Sequence, residues 1–155
     1  KNGDEFRVDK DYFTFGYRES QLKWNHDVLL RSVFEVRETN RAKIMNRIDE
    51  NLKDRKDKHP PWEVACAGSY FKNPVLPSGK KVAAAYLLDQ VGAKDLREGG
   101  AAVYDVHANF IINGGQASAK DVLRLASELK RRVKEKFGID LEEEVIFLPE
   151  DFSML

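Results

Sequence analysis

Residues 67–74 read Ala67-Gly68-Ser69-Tyr70-Phe71-Lys72-Asn73-Pro74. We call this stretch the serine turn. Pro74 lacks an N–H and disfavours a helical Asn73, while Gly68 adds backbone freedom, so the stretch predicts a short strand that leads into a turn. Gly-Ser and Asn-Pro pairs are common in plain surface turns, but two adjacent aromatic residues usually anchor a segment. We therefore interpret it as an active-site turn that presents a hydroxyl, an ammonium and an amide.

Length and composition describe an ordinary globular chain. It has 155 residues, 42% hydrophobic and 34% charged, which is enough for one sizeable core. The 26 basic and 26 acidic residues give a formal net charge of +0, so no overall field favours nucleic acid or an anionic membrane. The single cysteine, Cys66, excludes an intrachain disulfide framework and fits a reducing, cytoplasmic compartment. We expect no membrane span, signal peptide or nucleic-acid partner.

The N-terminal region differs from the rest of the chain. The sequence begins Lys1-Asn2-Gly3 without an initiator methionine, and we expect it to be part of a longer polypeptide. Residues 1–38 predict extended structure, and the apolar, β-branched run from Val28 to Val36 is the strongest strand candidate. A domain boundary is expected around residues 37–40, where this region gives way to a helical pattern.

The remaining sequence predicts helices and strands without a regular order. An amphipathic helix is predicted after residue 39, because Ile44, Ile48 and Leu52 recur at helical spacing. The clearest start of a helix is at Ser118, which is a capping residue. Asp121 follows at the third helical position, where its charge favours the positive end of the helix. The other predicted elements are a helix over 82–91, strands over 101–104, 109–113 and 144–148, and a loop over 75–81. The fold class predicted is α+β, with helices packed on a mixed or antiparallel sheet.

Few residues stand out as candidates for chemistry. The leading ones are Arg18, Ser69, Asn73 and Glu144, with Lys58, Lys72, His107 and Cys66 behind them. The sequence around the serine is not the G-x-S-x-G elbow of a hydrolase, and there is no GxxxxGK[ST] phosphate loop. Three scattered histidines predict no metal site. By its residues alone, His107 is a hydrogen-bonding residue at a strand end, and Tyr17-Arg18-Glu19-Ser20 is a solvated connection.

Five blocks of sequence, in this order, resemble a known family. They are Tyr17-Arg18-Glu19-Ser20, the serine turn, Gly99-Gly100-Ala101-Ala102-Val103, His107-Ala108-Asn109-Phe110-Ile111-Ile112-Asn113 and Phe137-Gly138-Ile139-Asp140-Leu141-Glu142-Glu143-Glu144-Val145. Together they resemble the C-terminal half of UDP-N-acetylenolpyruvoylglucosamine reductase, the MurB family of peptidoglycan synthesis. One such block would be weak, whereas five collinear blocks are specific.

The resemblance implies a reaction and a site. The family reduces an enolpyruvyl ether on a UDP-sugar to the lactyl ether, with FAD that NADPH re-reduces. By resemblance, Ser69 donates the proton, Arg18 holds the substrate carboxylate, and a protonated Glu144 donates to the developing oxyanion. The substrate contacts implied are Asn73, Lys58 and Tyr17. No residue is assigned to flavin binding.

The resemblance also implies a domain organisation. Residues 1–38 are expected to end the preceding FAD-binding region and to carry the Tyr-Arg motif, and residues 39–155 to form the substrate-binding domain. Because FAD is bound mainly by N-terminal domains absent from this sequence, we expect the fragment alone to be inactive. Ile146 stands where the family usually has an arginine, and Tyr104-Asp105-Val106 replaces its usual Ser-x-Lys. These departures concern flavin contacts more than the proton donor.

Two other functions stay open at this point. A nucleotide-sugar-binding module without redox activity is compatible with Ile146 but leaves Arg18, Ser69 and Glu144 without a purpose. A purely structural interaction domain leaves the polar turn unexplained. The leading hypothesis is the substrate-binding part of a cytoplasmic flavoprotein reductase that acts on a UDP-sugar.

Overall fold

The computed structural model describes residues 3–148, which fall into two compact units divided between Asn40 and Arg41. The first unit contains a 3-10 turn, Lys10–Phe13, and a short helix α1, Leu22–Asn25. Four aromatic rings contact one another in a chain from Phe6 through Tyr12 and Phe13 to Phe15. Edge and stacking contacts of this kind order a segment that has little other regular structure.

The strand predicted from Val28 to Val36 is wrong. Within residues 3–148 the stretch pairs with no strand, and Val28, Val33 and Val36 are each about four-fifths exposed. A run of β-branched residues favours a pleated surface but cannot supply the neighbouring strand that a ladder requires. The predicted extended character of this region is also interrupted by α1 and the 3-10 turn.

The second unit is built on a four-stranded sheet. Its strands are β1, Cys66–Ser69, β2, Arg97–Glu98, β3, Ala101–Val103, and β4, Phe110–Asn113. The order is β1-β4-β3-β2 and every pair is antiparallel. The α+β prediction is confirmed, and β3 and β4 lie inside the predicted stretches 101–104 and 109–113. Strand β2 was not predicted, because a strand of two residues is too short to show an alternation of apolar and polar side chains.

Within residues 41–148 this unit has three α-helices: α2, Arg41–Lys58, α3, Ala84–Gln90, and α4, Ala119–Phe137, with a 3-10 turn, Ala93–Asp95, after α3. Helix α4 begins with the predicted capping box, in which Ser118 and Asp121 each accept a backbone N–H of the other. These hydrogen bonds lower the pKa of the Asp121 carboxyl. Leu125, Leu129 and Val133 of α4 are at most 2% exposed, so one face of this helix covers the sheet.

Helix α2 forms as predicted from its four-residue spacing. Its apolar residues Ile44, Ile48 and Leu52 nevertheless remain partly exposed in the described chain, at 45%, 43% and 59%. Helix α3 lies within the predicted range 82–91, and its Leu87 and Leu88 are buried in the core. None of the helices among residues 3–148 combines the length and apolar character needed to cross a membrane.

The strand predicted over 144–148 is also wrong. Pairing occurs earlier, through an antiparallel bridge between Phe71 and Glu143, and Ile146 and Leu148 are 82% and 61% exposed. The apolar run suggested a buried strand, but within residues 3–148 the backbone hydrogen bonds between this part of the chain and residues 70–72 involve only Glu142 and Glu144. The ladder therefore ends at Glu144 and does not continue through the predicted strand.

We predict that Gly100→Ala destabilises the second unit by about 3 kcal/mol. A Cβ at Gly100 would lie 2.3 Å from the carbonyl oxygen of Gly115 and 2.5 Å from the amide nitrogen of Ala117, both rigid backbone atoms. The matched control is Gly114→Ala, whose Cβ would meet nothing closer than 3.4 Å. Urea unfolding measures both changes, and equal midpoints for the two variants would contradict the prediction.

Candidate active site

The serine turn begins at an irregular end of β1. The register between β1 and β4 shifts between Cys66 and Ser69, and Gly68 adopts φ +84°, a conformation that glycine accepts without strain. Tyr70 and Phe71, which follow, are only 4% and 1% exposed. The predicted anchoring of the turn by its two aromatic residues is confirmed.

A buried asparagine holds this turn against β4. The side-chain oxygen of Asn109 accepts from the N–H of Phe71 at 2.9 Å, and its amide group donates to the carbonyl of Phe71 at 2.8 Å. The Asn109 carbonyl accepts from the N–H of Tyr70 at 2.8 Å. Asn109 is 4% exposed, so these bonds satisfy groups that water cannot reach. Sequence reasoning assigned Asn109 no role, although a lone amide beside the apolar run 110–112 was a usable signal.

The Ser69 hydroxyl lies at the margin of the buried region. Ser69 is half-buried and pairs with Phe110 in the sheet. Within residues 3–148 the hydroxyl oxygen has no hydrogen-bond partner. A hydroxyl on a fixed backbone that is not engaged with this part of the chain is suited to donate to an external acceptor.

Glu144 lies beside the serine turn through backbone pairing. Its N–H donates to the carbonyl of Tyr70 at 2.8 Å, one residue after Ser69. The residue is half-buried. The structure thus pairs the backbone of Glu144 with the residue that follows Ser69, although Ser69 and Glu144 are 75 positions apart in the sequence. Their catalytic roles stay a prediction.

Asn73 and Lys58 occupy different surroundings. The Asn73 side-chain oxygen accepts from the N–H of Ala84 at 2.9 Å and so begins α3, a structural role that sequence reasoning missed. Lys58 ends α2, is 60% exposed at its side chain, and pairs with Asp54 at 2.6 Å. The substrate contacts assigned to these two residues stay predictions.

Tyr17 and Arg18 belong to the first unit. A bridge between Gly16 and Glu19 closes a tight turn, in which Arg18 has φ +57°. Left-handed backbone costs a non-glycine residue roughly 1 kcal/mol or more and is common at functional sites. The Arg18 carbonyl accepts from the Lys23 ammonium, and its guanidinium lies 5.6 Å from the centre of the Tyr17 ring. The turn therefore holds Arg18 in a defined conformation within its unit.

His107 closes the loop before β4. Its Nδ1 accepts from the N–H of Asn109 at 3.3 Å, and its ring meets that of Phe110 edge-on at 4.9 Å. The predicted hydrogen-bonding role at a strand end is confirmed. Burial lowers the pKa of the His107 imidazole from its ordinary value. Across residues 3–148, no three histidine, cysteine or acidic side chains are grouped so that they could hold a metal ion.

These features define an α+β domain whose sheet presents a serine turn paired with an acidic segment. Residues 60–148 match the family model described as UDP-N-acetylenolpyruvoylglucosamine reductase, C-terminal domain. The chain belongs to this family. The resemblance found in the five sequence blocks is thereby confirmed.

Similar proteins and a solved structure carry the same name as the matching family model. Proteins named UDP-N-acetylenolpyruvoylglucosamine reductase from Solibacter usitatus and Clostridium kluyveri are 41% and 38% identical, over 86% and 97% of this chain. The crystal structure of the enzyme (MurB) from Thermus caldophilus matches 90% of this chain with a TM-score of 0.70 and 37% identity. The matches cover 48%, 47% and 47% of those three proteins. The chain therefore spans about half the length of its relatives.

We predict that Asn109→Ala destabilises the second unit by about 3 kcal/mol, because it leaves both the N–H and the carbonyl of Phe71 buried without partners. Asn113→Ala is the matched control, since its exposed side chain accepts from Gly115 and Ala117 and its loss should cost about 1 kcal/mol. Chemical denaturation compares the two. A cost for Asn109→Ala no greater than that of the control would contradict the prediction.

Acidification should destabilise the chain through His107. Its folded pKa is lowered, so its contribution to stability is complete above the unfolded value of about 6.5 and is lost as pH falls through the folded value. Asparagine at this position keeps an acceptor for the N–H two residues later but does not titrate. We expect the denaturation midpoint of His107→Asn to fall less than that of the wild type between about pH 7.5 and about pH 5. Identical falls would count against this.

Proposed function

We propose that this chain is the substrate-binding part of a reductase that converts UDP-N-acetylglucosamine enolpyruvate to UDP-N-acetylmuramate in peptidoglycan precursor synthesis. The observation that carries the proposal is the pairing of the serine turn with the segment ending at Glu144, in a chain of this family. A reaction that must protonate carbon and stabilise an oxyanion needs a hydroxyl and a carboxyl of the kind that Ser69 and Glu144 supply. The proposed compartment is the cytoplasm.

The proposed cofactors are FAD and NADPH. FAD, once NADPH has reduced it, would supply the hydride that the terminal carbon of the substrate alkene accepts. Reduction of the double bond needs a proton as well as a hydride. The hydroxyl of the half-buried Ser69 can supply that proton. We propose that FAD is held mainly by the half of the relatives that lies outside the region matching this chain. Ile146, at the position where the family usually has an arginine, is 82% exposed, and no residue among 3–148 is assigned to the flavin.

The serine turn supplies the proton. Addition of hydride to the terminal carbon leaves negative charge on the carbon that bears the carboxylate. A serine hydroxyl is a weak acid in water, but such a carbanion is a far stronger base, so transfer from Ser69 Oγ to carbon is downhill once the charge has formed. Rigid backbone around the turn, fixed by Asn109, limits the motion needed to reach that carbon.

Two further residues stabilise the charge. Glu144, protonated, donates to the enolate oxygen, where a hydrogen bond strengthens as the charge develops. Arg18 offers the planar fork that matches a carboxylate with two parallel hydrogen bonds, which lysine cannot reproduce. Asn73, Lys58 and Tyr17 are the remaining proposed contacts to the UDP-sugar. The proposed partners are this small molecule and the FAD-binding region of the same polypeptide.

The binding-module alternative predicts a different protein. It requires UDP-sugar binding without bound flavin and without NADPH oxidation. No feature of the described residues favours it over the reductase. A colourless full-length protein that takes up no FAD would favour the binding module over the proposed reaction.

We predict that Ser69→Ala in the full-length enzyme separates the two half-reactions. Reduction of FAD by NADPH should keep its wild-type rate, because the hydroxyl has no part in it. Reoxidation by UDP-N-acetylglucosamine enolpyruvate should slow by roughly 100-fold to 10,000-fold, the usual contribution of a general acid. Stopped-flow absorbance of the flavin measures each rate.

The control for this experiment is Ser127→Ala. The Ser127 hydroxyl donates to the carbonyl of Leu123 on the exposed face of α4, so the substitution removes the same atoms away from the serine turn. Both rates should then match the wild type. Equal slowing of the two half-reactions by Ser69→Ala would rule out the proton-donor role.

A further inference from the structure

A short ladder joins the serine turn to residues 142–144, which we call the Glu144 segment. The N–H of Lys72 donates to the carbonyl of Glu142 at 2.8 Å, and Phe71 bridges Glu143. At the other end, Glu144 donates its N–H to Tyr70. A two-stranded ladder of three residues is marginal by itself. Other contacts have to hold the Glu144 segment in place.

An ion pair crosses this ladder at its far end. The Lys72 ammonium donates to the Glu142 carboxylate, and the two residues already share the backbone bond described above. Only 15% of the Lys72 side chain is exposed, against 71% for Glu142. Because the ammonium is largely enclosed, solvent and salt screen this pair less than an ordinary surface pair.

A second ion pair holds the same segment more loosely. Lys130 of α4 lies 3.3 Å from the Glu143 carboxylate, with side chains 43% and 34% exposed. After the segment the chain becomes exposed at Ile146. Of these two pairs, only Lys72 with Glu142 connects the Glu144 segment directly to the serine turn.

We propose that Lys72 is a positioning residue for catalysis, which fixes the Glu144 carboxyl relative to the Ser69 hydroxyl through its ion pair with Glu142. The inference rests on the proposed function. Lys72 itself touches no reacting atom. Loss of the pair lets the Glu144 segment shift on the serine turn, and a displacement of about 1 Å at a reacting group can lower a rate by as much as roughly 100-fold.

The test uses full-length enzyme with bound FAD and the variants Lys72→Met, Glu142→Gln and both together. Each single substitution should slow reoxidation of the flavin by saturating UDP-N-acetylglucosamine enolpyruvate about tenfold, while reduction by NADPH stays within about twofold of the wild type. The double variant should be no slower than either single, because both remove one interaction. Lys72→Arg, which keeps the cation, should recover most of the rate.

Lys134→Met is the matched control. It removes an exposed pair, Lys134 with Asp140 at 2.6 Å, just before the Glu144 segment, and should leave both half-reactions unchanged. Glu142 is exposed, so Glu142→Gln keeps the test valid if Lys72→Met does not fold. Wild-type reoxidation in folded Glu142→Gln, additive losses, or equal losses in both half-reactions would each overturn the inference alone. A wild-type enzyme that this substrate cannot reoxidise would overturn the proposed function, and the inference with it.

Discussion

The clamp that Asn109 places on Phe71 is the interaction on which the second unit depends. The register of β1 slips at Gly68, and the pairing with β4 resumes at Ser69 with Phe110. The last backbone bond of this ladder joins the Tyr70 N–H to the Asn109 carbonyl, so the regular ladder does not extend to Phe71. The Asn109 side chain replaces it by accepting the N–H and donating to the carbonyl of a residue that is 1% exposed. Without that substitute, two backbone groups would be buried without partners, at a cost of about 1–3 kcal/mol each.

Residues 70–72 of the serine turn lie between two other backbone segments, the one at Asn109 and the Glu144 segment. Tyr70 donates its N–H toward Asn109 and accepts from Glu144, so residues 70–72 have a neighbour on each side. The polar side chains of the turn are therefore carried on backbone that is bonded along both edges. Preorganisation of this kind is what proton transfer to carbon needs, because a donor that must first reorganise adds to the barrier.

The residues proposed for catalysis and binding lie on segments that are distant in the sequence, and each segment is held by a different kind of contact. Ser69 depends on a β-bulge, the Glu144 segment on a short ladder with ion pairs, and Asn73 on its bond to the first turn of α3. Arg18 is held separately in the first unit, in a left-handed turn that its own neighbours close.

The sequence by itself determined the α+β class, the start of α4 at Ser118, strands β3 and β4, and the family, because these follow from local spacing, capping and collinear motifs. It did not determine where strands find partners. The run from Val28 to Val36 has the composition of a strand but no partner within residues 3–148. The last strand, predicted over 144–148, is absent, and pairing occurs instead in the Glu144 segment. The lone amide of Asn109 beside the apolar run 110–112 was visible in the sequence, but its partner Phe71 was not. Periodicity specifies the faces of an element, whereas pairing and burial of single polar groups depend on residues far away in the chain, which only the tertiary structure brings together.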